Sequence, residues 1–184
     1  MSQISPRISR PRLVPFKTEG QLLFEWWIIL AGVPLLFELL VLWTTGKTER
    51  FFELCFQALP GFLVFWPVSI PLLLWLYFGW SSCLERDEMC SLHLLWLVPF
   101  TVLPLTMLVW GALFYNPDFY SGNYDRSHIA FLQFIFHAMF LNAILAIGFN
   151  YGRNSFVIPF CLLALLLNFF CAFIAGSAVS GEWL

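Results

Sequence analysis

The chain has 184 residues, of which 60% are hydrophobic and only 11% charged, and 9 Lys plus Arg against 11 Asp plus Glu leave a net charge of −2. A soluble domain is about a quarter charged, and a mean hydropathy of +0.81 puts this chain far from that class. The composition excludes a nucleic-acid module, a disulfide-rich secreted scaffold and a disordered chain, and defines an integral membrane protein.

Residues 1–21 form a basic tail with Arg7, Arg10, Arg12 and Lys17 and no acid before Glu19. Its Ser and Arg content is that of a transit peptide, but Pro6, Pro11 and Pro15 interrupt any amphipathic helix. A cytosolic tail lying against anionic headgroups is the plainer expectation. Crossing a hydrocarbon core takes about 20 apolar residues, and five stretches reach that length. They run from Leu22 to Trp43, Leu54 to Trp80, Leu92 to Tyr115, Ile129 to Tyr151 and Phe156 to Val179. Each is continuously apolar rather than alternating, which excludes a β-barrel. The expected fold is all-α: one bundle of five transmembrane helices with short loops.

The first span carries Glu25 near its start and Glu38 five residues before Trp43. The second is entered through Glu53 and Gln57 and contains Pro60, Pro67 and Pro71; the third contains Pro99, Pro104 and Trp110. Each proline removes a backbone donor and favours a kink. The fourth span follows His128 and carries Gln133, His137 and Asn142. In the fifth, Ala164, Asn168, Ala172, Gly176 and Ser180 recur every four residues, a small-residue face suited to a partner helix in this chain or another subunit.

Orientation follows the Lys/Arg bias. With the N-terminus inside, the inner segments hold Arg7, Arg10, Arg12, Lys17, Arg86 and Arg153, and the outer ones Lys47, Arg50 and Arg126. A cytoplasmic N-terminus and an outer or lumenal C-terminus are expected, with the endoplasmic reticulum as the compartment in a eukaryotic cell. Trp26, Trp27, Trp43, Trp80 and Trp183 mark the interfaces.

Ionisable groups inside spans are costly and point to function. Glu38 lies about 7–8 Å beneath the outer boundary at 1.5 Å per residue. Glu53 and Gln57, and Gln133 and His137, are two i, i+4 pairs descending from that same side. These five residues fall in one leaflet on three helices. They form either a ligand site or a hydrogen-bonded network that fixes helix register. A carboxyl in an apolar site can stay protonated near neutral pH, and such an acid can protonate an alkene or meet a cation beside aromatic faces. No nucleophile set for hydrolysis accompanies it.

The three histidines lie at different depths, which disfavours bis-His haem, although His137 alone could hold one pigment. Cys83, Cys90 and His93 do not follow a zinc spacing, and Cys55, Cys161 and Cys171 read as buried apolar residues. No cofactor and no metal are expected. No inverted repeat of broken helices suggests a transporter.

Four segments resemble the EXPERA family of sterol isomerases and sigma-2-like receptors: VPLLFELL (Val33–Leu40), FFELCFQALPGF (Phe51–Phe62), SLHLLWLVPF (Ser91–Phe100) and FIFHAMFLNAI (Phe134–Ile144). The resemblance implies that Glu38 and Glu53 are paired acids and that Gln57 and Asn142 line a pocket. Pro34 stands where the sterol isomerases carry a histidine, the link between the first two helices is shorter, and the last span is extra. The expectation is therefore a protein holding a sterol- or isoprenoid-like ligand in an outer-leaflet pocket, an isomerase, a cyclase or a binding protein. Glu38 and Glu53 would be its acids, with Gln57, Trp110, Gln133, His137 and Asn142 around the ligand. The alternative is a non-catalytic subunit of a membrane complex. Expected partners are membrane lipid, a hydrophobic small molecule and a membrane protein on the Ala164–Ser180 face, with no nucleic acid.

Overall fold

The computed structural model describes residues 19–85, 92–117, 124–152 and 154–182. Arg7, Arg10, Arg12, Lys17, Arg86, Cys90, Arg153, Trp183 and the Cys83 side chain lie outside them. All regular structure among the described residues is helical. In chain order it comprises α1 (Glu19–Thr45), α2 (Thr48–Val64), α3 (Trp66–Glu85), a 3₁₀ segment (Leu92–Leu97), α4 (Pro99–Leu113), α5 (Arg126–Asn150) and α6 (Val157–Ser180).

By length and composition, four helical stretches among the described residues can cross a membrane: Leu22–Thr45, His93–Leu113, Arg126–Asn150 and Val157–Ser180. The stretch expected as one second span is two helices, α2 and α3, meeting at 91°; counted as one broken span, the pair makes a fifth crossing. Its break falls at Phe65, just ahead of Pro67. Pro67 has no N–H for the Leu63 carbonyl, which takes the Phe65 N–H instead. The N–H groups of Val68 and Ser69 and the Ser69 hydroxyl all turn to the Phe65 carbonyl. Three donors gathered on one carbonyl restart the ladder in a new direction.

Gly46 ends α1 in the left-handed region at φ 68. The Lys47 N–H reaches the Leu42 carbonyl and the Gly46 N–H that of Trp43, a Schellman stop that turns the chain directly into α2.

Helix α6 is the hub, packing on α2, α3, α4 and α5, whereas α1 packs on α4, the 3₁₀ segment and α2. The residues of α6 that are buried include Val157, Cys161, Asn168, Cys171, Ala175 and Ala178, which recur at helical spacing. Their partners are helices of this same chain. The tightest approach to the α6 backbone is at Ala175 against Gly111 of α4, where a β-carbon on Gly111 would stand 2.9 Å from the Ala175 Cα. Of the expected small-residue face, Asn168 and Ser180 are buried, while Ala164, Ala172 and Gly176 are half-buried. A β-carbon on Gly176 would meet nothing within 4 Å.

Helix α5 starts on Asp125, whose side chain accepts from the Ser127 N–H at 2.9 Å, capping one of the open donors of the first turn. That backbone bond, then the Ser127 side chain and, least, nearby His128 hold the Asp125 carboxyl below the usual carboxylate range. A carboxylate with a depressed pKa stabilises the fold fully above its unfolded pKa and loses that contribution as pH falls through its folded value. Protection of the first-turn amides of α5, normalised to the intrinsic exchange rate at each pH, should therefore fall as pH drops through and below the usual carboxylate range. Asp125→Asn, which keeps the cap without a charge, should abolish that acid dependence; an unchanged profile would remove the cap from the account.

Candidate functional site

Among the described residues, two cavities and the polar contact between Glu38 and Thr106 lie around α1 and α4. The larger cavity is a groove of about 1090 Å³. Leu23, Trp27, Ala31, Gly32 and Leu35 of α1 form one wall, and Leu76, Tyr77 and Trp80 of α3 the other. Leu97 and Thr101 close its floor together with Phe156, the N-cap of α6, and Phe160 within that helix. Almost every lining group is apolar, and the Thr101 hydroxyl is spent on the Val98 carbonyl at 2.7 Å. Phe24, Ile28 and Tyr77 at its rim are exposed, so the groove opens toward lipid between α1 and α3. Gly79 lets α3 lean on the Phe156 backbone, which a β-carbon there would meet at 3.0 Å. The Trp80 ring stands edge-on to Phe156 at 5.2 Å.

Beside the groove, Trp27, Ala31 and Leu35 pack against Leu95, Val98 and Val102, the seam that joins α1 to α4. Glu38 continues this seam one turn beyond Leu35. The Thr106 hydroxyl of α4 donates to its carboxylate, and Thr106 also lies within reach of the Val102 carbonyl at 3.1 Å. The half-buried acid is thus bound across the helix pair rather than left toward lipid.

The other expected site residues have different surroundings. Glu53 forms an exposed ion pair with Arg50, whose guanidinium lies 4.1 Å from the centre of the Tyr115 ring. Gln57, Gln133 and His137 are exposed, and the His137 Nδ1 lies 2.6 Å from the Gln133 carbonyl, one turn back on its own helix. Trp110 belongs to an aromatic cluster with Phe131 at 4.2 Å, Phe114 at 4.5 Å and His128 at 5.5 Å. The Trp110 indole N–H is buried without an acceptor among the described residues. Asn142 is buried and donates to the Trp96 carbonyl at 2.9 Å. Glu38 and Glu53 therefore answer to separate partners, Thr106 and Arg50.

Asn142 belongs to a polar series on α5 that holds the 3₁₀ entry to α4. Asn150, 1% exposed, donates to the carbonyls of His93 at 3.2 Å and Ala146 at 2.9 Å, and its Oδ1 accepts from Asn154 at 2.8 Å. Carbonyls in a 3₁₀ segment lack regular α-helical partners, and in a membrane each must be met internally. Asn150→Ala should cost about 1–3 kcal/mol by leaving buried groups unpaired. A thermal unfolding midpoint in detergent equal to that of the parent chain would refute the role.

Sequence reasoning missed Thr106, Asn150, Asn154 and Gly32. Asn142 and Asn150, eight apart on one helix, carried a signal, since asparagines on one helical stripe within a span call for partners. Thr106 carried none, because a threonine that bonds back to its own helix looks the same in sequence as one that reaches a neighbour.

Among the described residues no group of three or more His, Cys, Asp or Glu side chains is placed to hold a metal. Cys161 and Cys171 are buried free thiols and Cys55 is half-buried. No family model, no curated protein and no solved structure matches the chain.

Proposed function

We propose that this multi-pass membrane protein holds a sterol- or isoprenoid-like ligand in the groove between α1 and α3. The observation that carries the proposal is the groove itself, about 1090 Å³ of nearly wholly apolar space open toward lipid. Its size matches or slightly exceeds the about 300–1000 Å³ of small-molecule sites. A ligand entering sideways from the bilayer would bury its body against Trp27, Tyr77 and Trp80. The choice of ligand class draws on the EXPERA-like segments quoted above. Glu38, a turn beyond Leu35, is the group we assign to a polar or cationic end of the ligand, and the proton donor if the ligand is isomerised or cyclised. Thr106 would orient that carboxyl. Glu38→Gln keeps an acceptor for Thr106 and removes the acid, so it should fold normally and lose ligand binding or turnover. Photoreactive sterol and prenyl probes should label peptides spanning Leu73–Trp80 and Phe156–Phe160. Labelling that avoids both would overturn the proposal.

One observation favours a different role, as a subunit of a membrane complex. Only 11% of the most apolar stretch of α1 is buried, and the space beside Gly176 is open. A helix from another chain could occupy either surface. Native mass spectrometry would distinguish the roles: a stoichiometric membrane partner supports the subunit, whereas a lone chain retaining an apolar small molecule supports the ligand-holding protein.

A further inference from the structure

We infer that the opposite flank of α1 carries a second site, built to take an apolar molecule with a single hydroxyl group. A separate cavity of about 490 Å³ lies there, bounded by Leu30, Trp96, Pro99, Val102, Leu103 and Asn142. It shares no lining residue with the large groove, and the inference does not rest on that groove.

The selective element is the Asn142 carboxamide. The residue is only 8% exposed, and its Nδ2 donates to the Trp96 carbonyl at 2.9 Å. Trp96 is itself fixed, its indole stacked on Phe149 at 5.2 Å with an interplanar angle of 11°. A flipped amide would set Oδ1 against the Trp96 carbonyl, two acceptors face to face, so the orientation is determined. With Nδ2 committed to the Trp96 carbonyl, Oδ1 is the acceptor that this side chain brings to the cavity Asn142 lines. A carbonyl oxygen in hydrocarbon accepts and cannot donate, so the molecule that completes this site must bring a proton donor.

The rest of the lining selects the body of that molecule. Leu30, Val102, Leu103 and Pro99 offer only apolar contact, and the Trp96 indole adds an aromatic face whose one polar group is an N–H donor, not an acceptor. An ammonium would enter without a carboxylate among the lining residues, at a large desolvation cost. A plain acyl chain would leave the Asn142 oxygen unmet. An alcohol with a hydrocarbon body satisfies both requirements, its O–H donating to Oδ1 and its body covering the wall.

The test uses the full chain in lipid nanodiscs with two photoreactive probes, a long-chain alcohol and its methyl ether. The pair share one hydrocarbon body and differ only in the donor. The alcohol should label peptides containing Leu30 and Leu103 about tenfold more than the ether does, the worth of one hydrogen bond in this setting. Leu30→Trp, which fills the cavity without touching the Asn142 bond, should abolish that labelling. Asn142→Leu should also abolish it; if the loss of the Trp96 tie prevents that variant from folding, Leu30→Trp and the probe pair carry the test. Equal labelling by the two probes, or labelling unchanged by Leu30→Trp, overturns the inference. So does alcohol labelling confined to α3 and α6 peptides, an outcome that would leave the large groove as the ligand site.

Discussion

Replacing Gly32 by Phe is expected to reduce ligand retention by about tenfold or more while leaving the fold intact. Gly32 lines the large groove, and a β-carbon there would meet only the Ile28 side chain, at 4.0 Å. The backbone therefore tolerates a side chain, and a benzyl group projecting from this position occupies the volume meant for the ligand. The helix itself should gain slightly, because glycine is a poor helix former. The expected signature is an unchanged or raised unfolding midpoint in detergent together with lost photolabelling of α3 and α6. Retained labelling at full strength would mean that the ligand lies elsewhere.

Gly111→Val is expected to give the largest loss of stability, about 2–3 kcal/mol. A β-carbon at this position would stand 2.9 Å from the Ala175 Cα, 3.1 Å from its Cβ and 3.3 Å from Leu54 Cδ1. The first of these is backbone and cannot rotate away, so α4 and α6 would have to separate. That contact sits in the core cluster shared with Leu54, Met107 and Cys171, so the strain reaches α2 as well. Gly176→Val is the control: open space surrounds Gly176, and the substitution should be close to neutral in the isolated chain. Thermal unfolding in detergent separates the two, and equal midpoints would refute the account of α4–α6 packing.

Much of the architecture was legible in sequence because lipid imposes a simple demand, a long run of apolar residues whose backbone bonds are satisfied locally. The membrane class and the all-helical fold follow from that alone. The break in the α2–α3 stretch was only half legible. Pro60, Pro67 and Pro71 announced a kink, but not its 91° size, nor that Gly61 beside the break packs directly on the Phe170 ring of α6. Proline spacing cannot supply that long-range contact.

The candidate site was less legible still. Depth counting put Glu38, Glu53, Gln57, Gln133 and His137 in one leaflet, but depth does not set the direction in which a helix faces. Rotation of α2 and α5 leaves Gln57, Gln133 and His137 exposed, while α1 turns Glu38 to Thr106. The large groove has no polar marker in the sequence. It exists because α1 packs on α4 and α3 packs on α6, leaving a gap between α1 and α3 that only the assembled helices reveal. Small-residue spacing on α6 signalled close packing, but the residue whose backbone is approached most closely is Ala175, one position from the face that the four-residue repeat picked out.

The most direct test of the central claim is mass spectrometry of the organic extract from the gently purified protein, run beside the Gly32→Phe and Glu38→Gln variants. One sterol- or isoprenoid-class molecule is expected at stoichiometric amount in the parent chain, lost from both variants. Bulk phospholipid alone, equal in all three samples, would contradict it and transfer the case to a structural subunit.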